Sequence, residues 1–164
     1  MQWEDYDEAL WNRIKQEAKD KIKEASVSIF ASDESPKAIG LAREAITAAE
    51  VDDIVKVRTI AFEDRVPDKP GGILVFNPPY GKRLEVEDIQ ELYGEIGDHL
   101  KKNYEGFDAW LISGNKEALK SIGLRTSRKM TLFNGSIECK FHKYELYRGS
   151  KKEKKKTTNP TPSE

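Results

Sequence analysis

The tetrapeptide Asn77-Pro78-Pro79-Tyr80 contains the residue types best suited to chemistry in this sequence. An amino group on a nucleic-acid base is planar, and it becomes nucleophilic when both of its N–H bonds point to acceptors. The side-chain oxygen of Asn77 is one acceptor, and the carbonyl of Pro78 is a second, held by proline-restricted dihedral angles. Tyr80 offers a flat face on which a base taken out of its helix can stack. These residues predict a site that activates an exocyclic amino group.

The tetrapeptide follows a short apolar segment. Residues 73–76 are all apolar and come after two glycines, a pattern typical of a strand buried on both faces. Pro78 and Pro79 have no amide hydrogen, so the strand's hydrogen bonding must end at Asn77. Asn77 is therefore expected at the carboxyl end of a central strand, where open α/β sheets bind ligands. The alternative interpretation is an ordinary turn at a strand end.

The hydrophobic pattern predicts alternating helices and strands, and hence an α/β fold with a mostly parallel sheet. The predicted elements are, in order, a helix over 3–25, a strand over 27–31, a helix over 36–49, strands over 54–62 and 73–76, a helix over 86–104, a strand over 108–112, a short helix after Asn115, and strands over 129–133 and 137–146. Asn134-Gly135 separates the last two strands, which predicts an antiparallel hairpin.

Charged residues follow two of the predicted strands. Asp33 comes just after the first strand, where an acidic residue of a nucleotide-binding sheet commonly accepts hydrogen bonds from ribose hydroxyls. A helix cap or turn is an equally good explanation of Asp33. Lys82 and Arg83 lie directly after the tetrapeptide, where they could contact a substrate phosphate. Exposed basic residues without a specific role are the alternative there.

Length and charge limit the classes of protein that the sequence can represent. The 164 residues have a net charge of −1 and suit one domain over 1–149, followed by a lysine-rich tail over 150–164 that we expect to be disordered. Residues 151–164 hold five lysines and two glutamates, a charge of +3, so residues 1–150 carry −4. A body with that balance is not an electrostatic nucleic-acid clamp. Affinity for RNA would need local basic patches or a further domain.

Cysteine and histidine usage points to a cytoplasmic protein without a metal. Cys139 is the only cysteine, so an internal disulfide is excluded and a reducing compartment is expected. His99 and His142 have no partner cysteine nearby, so we expect no zinc site. No apolar stretch approaches 18 residues and no signal peptide leads the chain, so no association with a membrane is expected.

Asn77-Pro-Pro-Tyr80 resembles motif IV of the amino-directed, S-adenosylmethionine-dependent methyltransferases. The longer segment 77–84, Asn-Pro-Pro-Tyr-Gly-Lys-Arg-Leu, more narrowly resembles the bacterial 23S ribosomal RNA guanine-N2 methyltransferases, whose full-length members carry an N-terminal THUMP RNA-binding domain. The resemblance extends from about Trp3 to Leu146. It includes the segments 30–33, 42–44, 92–93, 113–115 and 134–139.

This resemblance implies a Rossmann-like class I methyltransferase fold with a C-terminal antiparallel hairpin, and S-adenosylmethionine as the cofactor. It implies that the tetrapeptide orients the base, Pro79 included. It also implies that Asp33 holds the ribose and Asp64 the adenine of the cofactor. Glu63 and Asp68 compete with Asp64 for that role, and a solvated acidic loop would explain all three residues.

One part of the family pattern is absent. Family members hold the methionine part of the cofactor on a glycine-rich loop after the first strand, but Gly40 is the only glycine before residue 71. In the family order, the missing first strand lies between the strands at 27–31 and 73–76. These two strands would pair directly, take a strand from another chain, or remain loosely folded. We therefore expect a partial catalytic domain that alone binds the cofactor weakly and turns over slowly, with a THUMP domain or partner chain outside it.

Two alternatives to a guanine-N2 methyltransferase remain open at this point. Adenine-N6 methyltransferases acting on DNA or RNA share the tetrapeptide, so the motif alone does not name the base. A chain without the glycine-rich loop could also be a non-catalytic RNA-binding or assembly module, using Tyr80, Lys82, Arg83 and the tail.

Overall fold

The computed structural model describes residues 4–79 and 86–147, with Val86 and Glu87 described by their backbone alone. Three candidate site residues, Tyr80, Lys82 and Arg83, and the predicted tail over 150–164 lie outside the described residues. The chain forms two compact units, an N-terminal unit (Met1–Phe62) and a C-terminal unit (Glu63–Glu164).

The N-terminal unit contains α1 (Glu8–Asp20), β1 (Ile29–Asp33), α2 (Pro36–Ala48) and β2 (Val55–Thr59). β1 and β2 pair in parallel, from Ile29 opposite Val55 to Asp33 opposite Thr59, so α2 connects two parallel strands. The hydroxyl of Ser35 accepts a hydrogen bond from the Ala38 amide at 3.3 Å, and Pro36 is the first helical residue. The predicted start of α2 is thus confirmed.

The first helix is shorter than the predicted 3–25. The carboxylate of Asp7 accepts a hydrogen bond from the Leu10 amide at 2.9 Å and caps α1 at its start. The three- and four-residue apolar spacing over 3–25 predicts a surface helix that covers a sheet, but no residue of α1 is buried. The predicted helix is too long because Tyr6 and Ile22 continue the apolar spacing of α1, although both residues lie outside the helix.

The C-terminal unit contains β3 (Gly72–Phe76), α3 (Val86–Asn103), β4 (Phe107–Ser113), α4 (Ala118–Ser121), β5 (Thr126–Asn134) and β6 (Ile137–Glu145). Its four-stranded sheet has the order β3-β4-β6-β5. β3 and β4 are parallel, whereas β6 is antiparallel to both β4 and β5. Gly135 has a φ of 61°, which an Asn-Gly hairpin turn requires. The antiparallel hairpin after a parallel pair is confirmed.

The core of the C-terminal unit lies on one face of this sheet. Alternate residues of β4 are buried, as expected for a strand covered on one side. The buried residues of α3 recur every three or four positions, which gives the helix one inward face. These residues are Ala109, Leu111 and Ser113 on β4, and Ile89, Tyr93, Ile96 and Leu100 on α3. Cys139 on β6 is also fully buried.

The prediction that β3 is buried on both faces is wrong. Ile73 and Val75 are 72% and 63% exposed, and Leu74 and Phe76 are half-buried. Within the described residues β3 pairs only with β4, and β1 only with β2, so both are edge strands and do not pair with each other. A continuous apolar run is typical of a strand that is covered on both faces of its sheet. Ile73 and Val75 lie on the face opposite the core of this unit, because their neighbours Leu74 and Phe76 pair with the buried residues Ala109 and Leu111 of β4. That second face is exposed at β3.

α3 and α4 approach each other closely at Gly97. A Cβ atom on Gly97 would collide with the backbone carbonyl of Ile122, just after α4, whereas one on Gly94 would lie 3.8 Å from the Ser121 carbonyl. The contact at Gly97 therefore depends on the absence of a side chain.

Candidate active site

Asn77 follows the last residue of β3 directly, as the sequence predicts. Because β3 and β4 are parallel and Phe76 lies opposite Leu111, Asn77 and Ser113 lie at the same edge of the sheet, at the carboxyl ends of the two strands. Asn77 is exposed and Pro78 is buried, so the carboxamide is accessible beside an anchored proline. Pro79 is exposed.

A buried pair of hydroxyl groups lies beneath this loop. The hydroxyl of Tyr93 on α3 lies 2.7 Å from the Ser113 hydroxyl at the end of β4. It also donates a hydrogen bond to the Pro79 carbonyl, at 3.5 Å. Both side chains are fully buried. Tyr93 and Ser113 belong to segments that carry the family resemblance, but their contact joins residues 20 positions apart and is visible only in the fold.

The turn after β4 is also fixed by hydrogen bonds. The Ser113 hydroxyl accepts a bond from the Asn115 amide at 3.0 Å. The Asn115 side-chain oxygen accepts bonds from the amides of Glu117 and Ala118, at 3.1 and 3.0 Å, just before α4. The Asn115 side chain therefore fixes the turn before α4, and the turn holds Ser113 in place.

Glu138 links this turn to the start of β6. Its Oε1 atom lies 3.0 Å from the Lys116 ammonium and 2.9 Å from the Lys140 ammonium. The hydrogen bonds from Lys140 and Lys116 lower the pKa of Glu138 to about 2. All three side chains are partly or largely exposed, so these two salt bridges should orient the side chains locally and contribute little to the stability of the fold.

Asp33 is the last residue of β1, two residues later than the predicted strand end. One carboxylate oxygen accepts a hydrogen bond from the Ser35 amide at 2.8 Å, so Asp33 does form the predicted turn. Its side chain is exposed, and the second oxygen can accept a bond from a ligand hydroxyl. The turn is the observed contact of Asp33, and its role toward a cofactor ribose stays a prediction.

The remaining acidic candidate, Asp64, is an exposed residue in a turn after Phe62. It belongs to the C-terminal unit together with Asn77, Pro78 and Pro79, whereas Asp33 belongs to the N-terminal unit. Within the described parts of the chain, no three His, Cys, Asp or Glu side chains are grouped as metal ligands. Over the same residues, no helix is long and apolar enough to cross a bilayer.

His142 gives the C-terminal unit a predicted pH dependence. Burial lowers the pKa of His142 below its ordinary value of 6.5, and the nearby Lys129 and Lys140 lower it further. The unfolded chain therefore binds a proton more readily, so stability is full above about pH 6.5 and falls as the pH decreases below that value. We expect the urea midpoint to be lower at pH 5.5 than at pH 7.5. His142→Gln should reduce this difference, and an unchanged difference would assign the effect to another group.

Comparison with known proteins agrees with the fold. A family model described as the RMKL-like methyltransferase domain matches residues 2–143. The ribosomal RNA large subunit methyltransferase K/L of Legionella pneumophila (strain Philadelphia 1) is 33% identical over 141 residues, which are 85% of this chain and 20% of that protein. A protein of Synechocystis sp., named provisionally as an RNA methyltransferase, is 36% identical over 149 residues, 90% of this chain and 39% of that protein.

Solved structures show the same architecture. The crystal structure of SMU.472, described provisionally as a methyltransferase and complexed with SAH, matches 90% of this chain with a TM-score of 0.77 and 25% identity, and the match covers 40% of that chain. A structure from Clostridium difficile 630, described provisionally as a methylase, matches 91% with a TM-score of 0.76 and 26% identity, again over 40% of its length.

The parallel strands, the antiparallel hairpin and the Asn-Pro-Pro sequence at a strand end define a class I methyltransferase fold. The chain belongs to the RMKL-like methyltransferase domain family, as the sequence resemblance implies. It spans between about a fifth and two fifths of the length of the relatives described above.

Proposed function

We propose that this chain is part of the catalytic domain of an S-adenosylmethionine-dependent RNA methyltransferase that acts in the cytoplasm on guanine N2 of 23S ribosomal RNA. The observation that carries the proposal is the position of Asn77 and Pro78, at the carboxyl end of a parallel strand with the Asn77 side chain exposed. The name of the Legionella relative, a ribosomal RNA large subunit methyltransferase, supports RNA as the substrate.

The proposed chemistry needs two acceptors and a flat face. The side-chain oxygen of Asn77 and the carbonyl of Pro78 accept the two N–H bonds of the base, so that its nitrogen can become pyramidal. Tyr80 stacks the base, and Lys82 and Arg83 contact RNA phosphates. Bound S-adenosylmethionine supplies a methyl group activated by its sulfonium. As the new N–C bond forms, the S–C bond breaks, and the base nitrogen then releases a proton to water.

Asp33 and Asp64 supply contacts for the nucleoside part of the cofactor in this proposal. The second carboxylate oxygen of Asp33 accepts from the ribose diol, and Asp64 accepts from the adenine amino group. No glycine-rich loop is present before Gly71 to hold the methionine part. We therefore propose that the chain alone binds the cofactor weakly, and that the absent strand and RNA-binding surface come from a THUMP-containing segment or a partner chain.

A single-turnover assay tests this function. The chain, in excess over unmodified 23S ribosomal RNA, is incubated with methyl-labelled S-adenosylmethionine, and the RNA is digested to nucleosides. We expect slow formation of N2-methylguanosine. N6-methyladenosine would instead support the adenine-directed alternative. RNA binding that S-adenosylhomocysteine does not change, without any methylated product, would support the non-catalytic module.

A further inference from the structure

We propose that the buried hydroxyl groups of Tyr93 and Ser113 are positioning groups for methyl transfer, because they fix the Asn77-Pro78-Pro79 loop in its reactive geometry. This inference rests on the proposed function, since it assigns a role in the same site. Neither residue touches the substrate in this proposal, and both act through the backbone of the loop.

The hydrogen bonds of this cluster connect the loop after β3 with the turn after β4. The Pro79 carbonyl can only accept a hydrogen bond, and the Tyr93 hydroxyl is its donor at 3.5 Å. Either hydroxyl can be the donor in the 2.7 Å contact between Tyr93 and Ser113, and Ser113 is the donor there whenever the Tyr93 proton points to Pro79. The Ser113 oxygen accepts from the Asn115 amide. This series of hydrogen bonds thus extends from the turn after β4 to the loop after β3.

The position of the bond at Pro79 explains why it affects the loop. The pyrrolidine ring already fixes φ of Pro79, so rotation about ψ is the remaining freedom of that residue. A hydrogen bond to the Pro79 carbonyl restrains this rotation. Pro78 is buried, which anchors the other side of the loop. With both prolines held, Asn77 and the Pro78 carbonyl keep the relative positions that a bound amino group requires, and small displacements of such groups are costly in rate.

Burial makes this arrangement specific. Tyr93 and Ser113 are fully buried, so water cannot replace a lost partner within the core. Tyr104, the residue directly after α3, offers a comparison. It is also buried, and its hydroxyl donates to the Arg65 carbonyl at 2.9 Å, away from the loop.

Tyr93→Phe and Tyr104→Phe therefore remove the same kind of bond at two places in one unit. In the single-turnover assay at saturating RNA and cofactor, we expect Tyr93→Phe to lower the rate at least 10-fold while the Kd for RNA changes less than 2-fold. Tyr104→Phe should leave the rate within 2-fold of the unchanged chain. Equal losses of rate in the two variants would assign Tyr93 a purely structural role and overturn the inference.

Two further measurements separate this inference from the proposed function. The double variant Tyr93→Phe, Ser113→Ala should lose no more rate than the more severe single variant, because both substitutions interrupt the same series of hydrogen bonds. A fold-loss in the double variant equal to the product of the two single fold-losses would contradict the inference. NMR relaxation of the Asn77 side-chain amide needs no catalysis. If no methylated product forms, greater mobility of Asn77 in Tyr93→Phe than in Tyr104→Phe would still support the positioning role, and unchanged mobility would overturn it.

Discussion

Replacing Asn77 by alanine is expected to lower the single-turnover rate of methyl transfer about 100-fold or more. The carboxamide oxygen is one of two proposed acceptors for the amino group, and removing one oriented hydrogen-bonding group from an active site typically costs a factor of about 100 to 1,000. Asn77 is exposed and follows the last residue of β3, so its truncation should leave the sheet intact. The assay is formation of the labelled nucleoside by the chain in excess over RNA.

Two companion variants sharpen this test. Asn77→Asp keeps an acceptor oxygen, so its rate should lie between those of the unchanged chain and Asn77→Ala. Asn12→Ala makes the same change at an exposed position of α1 and should have no effect on the rate. If Asn77→Ala retained the rate of Asn12→Ala, the tetrapeptide would be an ordinary strand-end turn.

Gly97→Ala should be the most destabilising small substitution in the C-terminal unit. Its methyl group would meet the Ile122 backbone carbonyl, and a backbone atom cannot rotate away as a side chain can. Overpacking of this kind lowers the free energy of unfolding by about 1–3 kcal/mol, and we expect a decrease at the upper end of this range. The helix propensity of alanine offsets this by only about 1 kcal/mol. Urea unfolding followed by far-UV circular dichroism measures the net change.

Gly94→Ala is the matched control on the same helix. The added methyl group would lie 3.8 Å from the Ser121 carbonyl, an ordinary van der Waals contact. The gain in helix propensity should then dominate, so stability should stay the same or rise by up to about 1 kcal/mol. Equal stability of the two variants would show that α3 and α4 separate at little cost.

Local sequence signals predict much of this fold because their causes are local. Ser35-Pro36 begins α2, and Asn134-Gly135 forms the hairpin turn, since caps and tight turns depend on adjacent residues. The end of β3 at Phe76 follows from the two prolines. The family resemblance adds the methyltransferase topology, which periodicity alone does not predict.

Features that depend on distant partners are not predictable in this way. The burial of Ile73 and Val75 depends on whether another layer covers the second face of the sheet at β3, and the sequence pattern does not tell which neighbours are present. The contact between Tyr93 and Ser113 joins residues 20 positions apart. The roles of Asp33, Asp64 and Asn77 toward ligands remain predictions, because they depend on groups that these residues would bind.

Cys139 also provides a built-in reporter of local opening. It is the only cysteine of the chain, and its side chain is fully buried on β6 in the C-terminal unit. A buried thiol reacts with an alkylating reagent only while the surrounding structure is open, so the labelling rate measures that opening equilibrium. The N-terminal unit contains no thiol and contributes no signal. The rate of Cys139 alkylation in the chain without substitutions therefore reports local opening of the C-terminal unit alone.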